Sequence, residues 1–159
     1  KNGVLTNYLV DELNGRRMGA KANGASRRQS YKYEPTSRMS NTYIANGTST
    51  PEEIIASTKL GLYAAKMGGG SVNPATGEFN FSVSEGYIIR DGKICEPVRG
   101  ATLIGKGSEV LMNIDMVGND LLRAQGMCGA SSGLIPTDVG QPTLRIKEIT
   151  VGGRGGELK

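Results

Sequence analysis

The stretch GMCGASSGLIPTDVGQPTLRIKEITVGG, residues 126–153, has two halves of different character. The first half, 126–140, is crowded with small residues around one thiol, Cys128, and this composition predicts a loop. The second half, 143–151, alternates β-branched or apolar residues with charged ones, which is typical of a strand. Gly126 and Gly129 leave little bulk beside the thiol, so other groups or a metal ion could approach it closely. A lone cysteine is more often a small buried hydrophobe than a ligand, and both interpretations stay open on this stretch alone.

The composition of the chain excludes several classes of function. Its 159 residues contain no histidine, which rules out a Ser-His or Cys-His pair within this segment. Two cysteines and scattered carboxylates are too few soft ligands for a zinc site built from this segment alone. Two cysteines also make no disulfide framework, so we expect a reducing, cytoplasmic setting. No apolar run approaches the ~20 residues of a membrane helix, and we expect no membrane partner.

Positive charge is concentrated near the start of the chain. Residues 1–40 hold eight Lys or Arg and three Asp or Glu, a net charge of +5, whereas the remaining 119 residues hold eleven against twelve, a net charge of −1. The segment 11–40 is also polar and rich in Gly, Ser and Arg, with glycines at 15, 19 and 24. It is predicted to be a long basic loop that is free to move, with a short helix near Leu13. Such a patch can meet nucleic acid or an acidic partner, but a solvated loop is the simpler interpretation.

Local signals predict several further elements. Residues 4–10 and 41–46 are typical of strands, and Thr50-Pro51 followed by Glu53 predicts a capped helix start. That helix either ends near Gly61, before a strand at 62–65, or continues to Met67. The glycines at 68–70 are expected to end whichever element precedes them.

Residues 71–105 alternate like an antiparallel meander. Asp91-Gly92 lies between two apolar runs and predicts a two-residue hairpin turn, with Cys95 as a structural residue in the second strand. A further short helix is expected at 108–113, with Ser108 as its cap.

Taken in order, eight stretches resemble the TldD/PmbA family, whose members are described as zinc metallopeptidases and as modulators of DNA gyrase. They are GVLTNYL (3–9), RMSNTYI (38–44), PEEIIA (51–56), GLYAAKMGGGSVNPATGEFNFSVSEGY (61–87), PVRGATLIGKG (97–107), VGNDL (117–121), GMCG (126–129) and GQPTLRIKEITVGG (140–153). The resemblance covers essentially the whole chain and implies the C-terminal region of a longer protein.

The resemblance also implies a metal site. TldD-like members carry H-E-x-x-x-H on a helix and a later cysteine, whereas PmbA-like members lack these ligands. The GMCG stretch resembles the TldD kind, which makes Cys128 the expected third zinc ligand. The two histidines and the general-base glutamate would lie before residue 1. We therefore expect a metallopeptidase in the complete protein, and neither activity nor bound zinc in this segment alone.

For substrates and partners, the resemblance implies unfolded or extended peptides held by strand addition. Arg38 and Asn41 are the candidates for lining that cleft. The resemblance further implies a dimer, either of two like subunits or with a PmbA-like subunit. The alternative is a non-catalytic module, which would be either a PmbA-like partner subunit or a gyrase-modulating protein associated with nucleic acid, although the residues do not favour nucleic acid as a partner.

The expected fold class is α+β and β-rich. We expect a mostly antiparallel or mixed twisted sheet, with barrel-like closure as one option, and one or two short helices. The whole chain, 1–159, is expected to form a single domain.

Overall fold

The computed structural model describes residues 4–153 of the chain. The described helices are α1 (Glu12–Met18), α2 (Pro51–Ala56) and α3 (Gly107–Met112). The described strands are β1 (Ser26–Arg27), β2 (Thr36–Ser37), β3 (Thr42–Tyr43), β4 (Leu60–Val72), β5 (Glu78–Arg90), β6 (Lys93–Val98), β7 (Thr102–Lys106), β8 (Ile114–Val117), β9 (Leu122–Ala130), β10 (Gly133–Gln141), β11 (Leu144–Ile146) and β12 (Thr150–Gly152).

These elements make a β-rich α+β protein, which confirms the predicted fold class. The described residues contain three short helices rather than one or two, and none of their four sheets closes on itself. No helix in the described part of the chain has the length and apolar character needed to cross a bilayer. The chain divides into two compact units, and residues 4–45 and 121–141 belong to the first while 46–120 and 142–153 belong to the second.

The first unit is built around the pairing of β9 with β10. Nine residue pairs run from Ala130 opposite Gly133 to Leu122 opposite Gln141, and β3 joins the far side of β10 in parallel. The loop predicted for 126–140 is therefore wrong, because this stretch belongs to a hairpin that turns at 131–132. Small residues carry no strand signal of their own, and the strand forms because its backbone groups pair with a neighbour.

A two-stranded sheet of β1 and β2 completes the strands of this unit. Residues 4–10 form no strand, contrary to the prediction. Instead of a neighbouring strand, the Asn23 side chain bonds backbone groups of this segment. It accepts a hydrogen bond from the Val10 amide at 3.0 Å and donates one to the Tyr8 carbonyl at 2.6 Å. The predicted helix near Leu13 is present as α1.

The second unit contains a sheet in the order β12-β7-β5-β4, with β6 also paired to β5. The glycines at 68–70 do not end an element, because they lie inside β4. A side chain at Gly70 would collide with the Asn80 carbonyl and the Phe81 ring across the ladder. Glycine thus permits close approach of the two strands at this position, where the register is also irregular.

The run 143–151 is not one strand, as its alternation predicted, but two. Its first part, β11, pairs with β8, and its last part, β12, pairs with β7. The strand is interrupted because the chain changes partner between the two ladders, which alternation along one segment does not reveal.

Several predictions that depend on a few neighbouring residues are confirmed, and one cap is misplaced. Thr50 Oγ1 accepts from the Glu53 amide at 3.2 Å and Glu53 Oε2 accepts from the Thr50 amide at 2.8 Å, so the predicted capping box is present. The helix ends at Ala56 and β4 follows, which supports the shorter of the two alternatives. Asp91 and Gly92 adopt positive φ angles of 45° and 75° in the predicted turn. The helix expected at 108–113 is α3, but Lys106 rather than Ser108 occupies its N-cap.

Candidate functional site

Cys128 lies in β9, directly opposite Ile135 in β10. Its thiol is free and half-buried. Directly opposed residues and their second neighbours share one face of an antiparallel pair. The face that carries Cys128 therefore also carries Ile135, directly opposite, and the opposed pair Gly126 and Thr137 two positions along.

Two arginines hold the main chain at and next to Cys128. Arg27 Nη2 donates to the Cys128 carbonyl oxygen at 3.3 Å, and Arg38 Nη2 donates to the Gly129 carbonyl oxygen at 3.1 Å. Arg27 Nε also donates to the Met39 carbonyl oxygen at 2.5 Å. The backbone on which the thiol sits is therefore restrained by two side chains from one distant segment.

That segment, residues 26–38, is named here the basic strap. It contains β1 and β2 and contacts the tip of the β9–β10 hairpin. The Gln29 amide donates to the Ser132 carbonyl oxygen at 2.8 Å, and Gln29 Oε1 accepts from the Leu134 amide at 2.8 Å. The strap thus forms several hydrogen bonds with the hairpin that carries the thiol.

Asn41 contacts the same hairpin from the β10 side. Asn41 lies one position before the paired segment of β3, and its Oδ1 accepts a hydrogen bond from the Asp138 amide at 3.1 Å. It also lines an open depression of about 570 Å³ on the hairpin. The lining residues are Asn41, Gln125, Gly126, Met127, Pro136, Thr137 and Asp138.

The outer edge of β9 is unpaired within residues 4–153, since its partner there is β10 alone. Leu122 and Met127 on this strand are 77% and 57% exposed. An unpaired edge presents backbone donors and acceptors to an extended chain, which can add to the sheet as a further strand.

The described residues contain no group of three or more His, Cys, Asp or Glu side chains that could hold a metal ion. The whole chain also has no histidine. Cys128 offers one soft sulfur ligand, of the type that zinc accepts. The other cysteine, Cys95, is exposed on β6 and lies in the second unit.

All three residues predicted for the site meet at one hairpin. Cys128 is part of it, Arg38 bonds the next carbonyl along, and Asn41 bonds the opposite strand. Sequence reasoning missed Arg27, which touches Cys128 itself, because Arg27 looked like one more charge of a basic loop. No local signal identifies it, since 101 positions separate it from its partner.

The fold and this hairpin define a β-rich α+β domain that presents one restrained thiol beside an open strand edge. The model of a known family, described as PmbA/TldA metallopeptidase C-terminal domain, matches residues 1–153. The chain belongs to this family, which confirms the resemblance seen in its sequence.

Curated relatives carry consistent names. The chain is 47% identical over 155 residues to the "Metalloprotease TldD homolog" of Buchnera aphidicola subsp. Schizaphis graminum, covering 96% of this chain and 32% of that protein. It is 48% identical to the protein of the same name from Haemophilus influenzae, with the same coverage. A protein of Saccharolobus solfataricus, 29% identical over 96% of this chain and 34% of its own length, is named "Zinc metalloprotease TldD homolog". The chain thus spans about one third of the length of the curated relatives that it matches.

Solved structures share the fold. TldE from Thermococcus kodakarensis matches with a TM-score of 0.74 at 19% identity, over 96% of this chain and 33% of that one. A protein described as a modulator of a DNA gyrase, from Thermotoga maritima, matches with a TM-score of 0.69 at 20% identity, over 96% and 32% of the two chains. At these identities the likeness concerns the fold alone.

Proposed function

We propose that this chain is the C-terminal part of a zinc-dependent peptidase that acts on unfolded or extended peptides, and that Cys128 is one of its zinc ligands. The observation that carries the proposal is the restrained position of Cys128. Its thiol is free and half-buried, and its own carbonyl and the next one each accept a guanidinium hydrogen bond. A ligand held in this way loses little conformational freedom when it binds a metal.

Zinc suits the chemistry of this residue. A thiolate is a common zinc ligand, and a catalytic site keeps three protein ligands with an open position for water. The remaining ligands, a histidine pair and a general-base glutamate of the H-E-x-x-x-H type, would be supplied by the part of the protein outside this chain. Bound zinc would provide an activated water near neutral pH. This segment alone is therefore expected to be inactive and to retain no zinc.

The peptide would bind along the open edge of β9. Main-chain hydrogen bonds to a strand edge require an extended substrate and make little use of its side chains, which favours unfolded peptides. In this proposal Arg38 shapes the cleft through its bond to the Gly129 carbonyl of β9, and Asn41 through the depression that it lines together with residues of β9. The depression that contains Asn41 also includes the exposed Met127, which offers apolar contact to a substrate side chain.

The assembly that we propose is a dimer, in the cytoplasm, of two like subunits or of one TldD-like and one PmbA-like subunit. The shared fold with the protein named TldE supports two related chains that could pair.

Metal content of the complete protein tests the function. We expect about one zinc per active subunit in the wild type and in the Cys95→Ala variant, and a large loss of zinc in Cys128→Ala. Cys95 is the matched control, because it is the other thiol of this chain and is exposed on a different unit. Full zinc retention by a folded Cys128→Ala protein would refute the proposed ligand.

A second candidate is a non-catalytic module, which would be either a PmbA-like partner subunit or a nucleic-acid-associated modulator of gyrase. The exposed basic side chains of the first unit favour it, among them Arg16, Arg17 and Arg28. Binding of duplex DNA that weakens steeply with added salt would support the nucleic-acid version. No binding even at low salt would refute the nucleic-acid version.

A further inference from the structure

Arg27 has an unusual environment for a charged residue. Its guanidinium is half-buried and donates to two backbone carbonyls, those of Met39 at 2.5 Å and Cys128 at 3.3 Å. Its Nη1 atom is buried and has no hydrogen-bond partner among the described residues. The other two nitrogens are thus committed to joining two segments that are far apart in the sequence.

The charge of Arg27 is not neutralised within the described part of the chain. The ion pairs found there involve Arg90, Arg123 and Arg145, and none of them includes Arg27. Partial burial of a cation without an acidic partner carries a desolvation cost. The residue is therefore poorly explained by stability alone, and its contact with the Cys128 carbonyl suggests a role at the thiol.

We propose that Arg27 is a positioning residue for Cys128, which fixes the β9 backbone so that the thiolate is aimed at the metal. The inference rests on the proposed function of Cys128 as a zinc ligand. Groups that orient a metal ligand without touching the metal commonly tune its affinity. Arg27 would do so through the carbonyl of the ligand residue itself, whereas Arg38 bonds the following carbonyl.

The shape of the guanidinium explains why arginine is needed. Its donors lie in a rigid planar fork, so one side chain can bond two carbonyls at fixed relative positions. A lysine retains the charge but presents a single flexible ammonium group. Arg27→Lys therefore preserves electrostatics and removes the bridge, and Arg28→Lys, at the exposed neighbouring position, is the matched control.

The test uses the complete protein and its Arg27→Lys, Arg27→Gln, Arg28→Lys and Cys128→Ala variants. Zinc dissociation constants are measured by competition with a chromophoric chelator. Cobalt(II) is then substituted for zinc, and the sulfur-to-cobalt charge-transfer band reports the geometry of the thiolate bond. Thermal unfolding of each metal-free protein measures stability separately, and Arg27→Gln serves as the second variant if Arg27→Lys does not fold.

We expect both Arg27 variants to bind zinc about 10- to 100-fold more weakly and to shift the charge-transfer band, while Arg28→Lys behaves as the wild type. A folded Arg27 variant whose charge-transfer band is unchanged would overturn the inference. This holds if its zinc affinity is unchanged, and also if its zinc affinity falls only as much as its thermal stability does. If Cys128→Ala nevertheless loses its zinc, the proposed positioning role of Arg27 is refuted and Cys128 remains the proposed zinc ligand. Full zinc retention in Cys128→Ala would overturn the proposed function itself.

Discussion

Asp11 and Ser37 bond each other reciprocally across 26 positions of the chain. The Asp11 amide donates to Ser37 Oγ at 2.9 Å, while the Ser37 amide and hydroxyl both donate to Asp11 Oδ2 at 2.8 Å. Asp11 Oδ1 also accepts from the Asn14 amide at 2.6 Å and so caps α1. One carboxylate thus joins the start of a helix to the end of β2, which belongs to the basic strap.

The Asp11 carboxylate predicts a specific acid sensitivity. The hydrogen bond from the Asn14 amide, followed by the bond from the Ser37 hydroxyl, lowers the pKa of this carboxyl from its ordinary value near 3.8. Because the folded-state pKa is the lower one, its stabilisation is fully present above the unfolded value and is lost as the pH falls through the folded value. We expect Asp11→Asn to lower the thermal midpoint at neutral pH, and the difference from wild type to shrink below about pH 4.

Two serine variants test the same contact from the side of its partner. Ser37→Ala should lower the midpoint, whereas Ser40→Ala at a nearby exposed position should leave it unchanged. Differential scanning calorimetry over a pH series provides the measurement. A constant difference between Asp11→Asn and the wild type down to pH 2 would contradict the expectation.

The triple glycine in β4 predicts two opposite results at adjacent positions. Gly70→Ala should destabilise the protein by about 1–3 kcal/mol, because the new methyl would overlap the Asn80 carbonyl and Phe81. Gly69→Ala should be tolerated, since a Cβ there meets nothing within 4 Å. Urea unfolding measures the free energy of unfolding of both variants. Equal decreases at the two positions would argue against the close approach of β4 and β5.

The hairpin turn between β5 and β6 predicts a preference for residues that accept positive φ. Asp91 adopts a φ angle of 45°, which a β-branched side chain resists. Asp91→Val should cost about 1–2 kcal/mol, while Asp91→Asn should be close to neutral because asparagine tolerates this region. Chemical denaturation measures both changes, and an equally stable valine variant would show that the turn adopts another conformation.

The proposed peptide cleft predicts a kinetic signature. In the complete protein, Asn41→Ala should raise KM for an unstructured peptide several-fold and change kcat less, because it removes binding that is common to the ground and transition states. Arg38→Met should raise KM and also lower kcat, since its bond to the Gly129 carbonyl restrains the backbone beside Cys128. Asn119→Ala and Arg28→Met, at exposed positions elsewhere, are the controls. Steady-state kinetics on a labelled unstructured peptide tests this. A fall in kcat with unchanged KM would place these residues outside substrate binding.

Sequence patterns predicted the parts of the fold that depend on near neighbours. The capping box of Thr50 and Glu53 and the turn at Asp91-Gly92 are both present as expected. Each needs only residues within a few positions of one another, so the relevant physics is contained in a short window. The wrong predictions are the loop at 126–140, the strand at 4–10, the break at the glycines of β4, the single strand at 143–151 and the Ser108 cap of α3. Most of them depend on which backbone segments pair with each other.

The candidate site shows the same division. The ordered family stretches pointed to Cys128, Arg38 and Asn41, and the structure brings these three to one hairpin, although their roles remain proposals. Arg27 could not be singled out in the same way. Its importance depends on a bond to a carbonyl, and a backbone carbonyl has no identity in the sequence.

The sequence by itself determined the β-rich α+β class, the family, the capped helix start at Thr50 and the tight turn at Asp91-Gly92. Those features follow from composition, ordered motifs and bonds between close neighbours. Only the tertiary structure decided that Cys128 lies in a strand rather than a loop, and that Arg27 and Arg38 hold its backbone. The physical reason is that both features depend on backbone groups, which all residue types share: the strand forms by pairing of β9 with β10, and the arginines bond carbonyls 101 and 91 positions away.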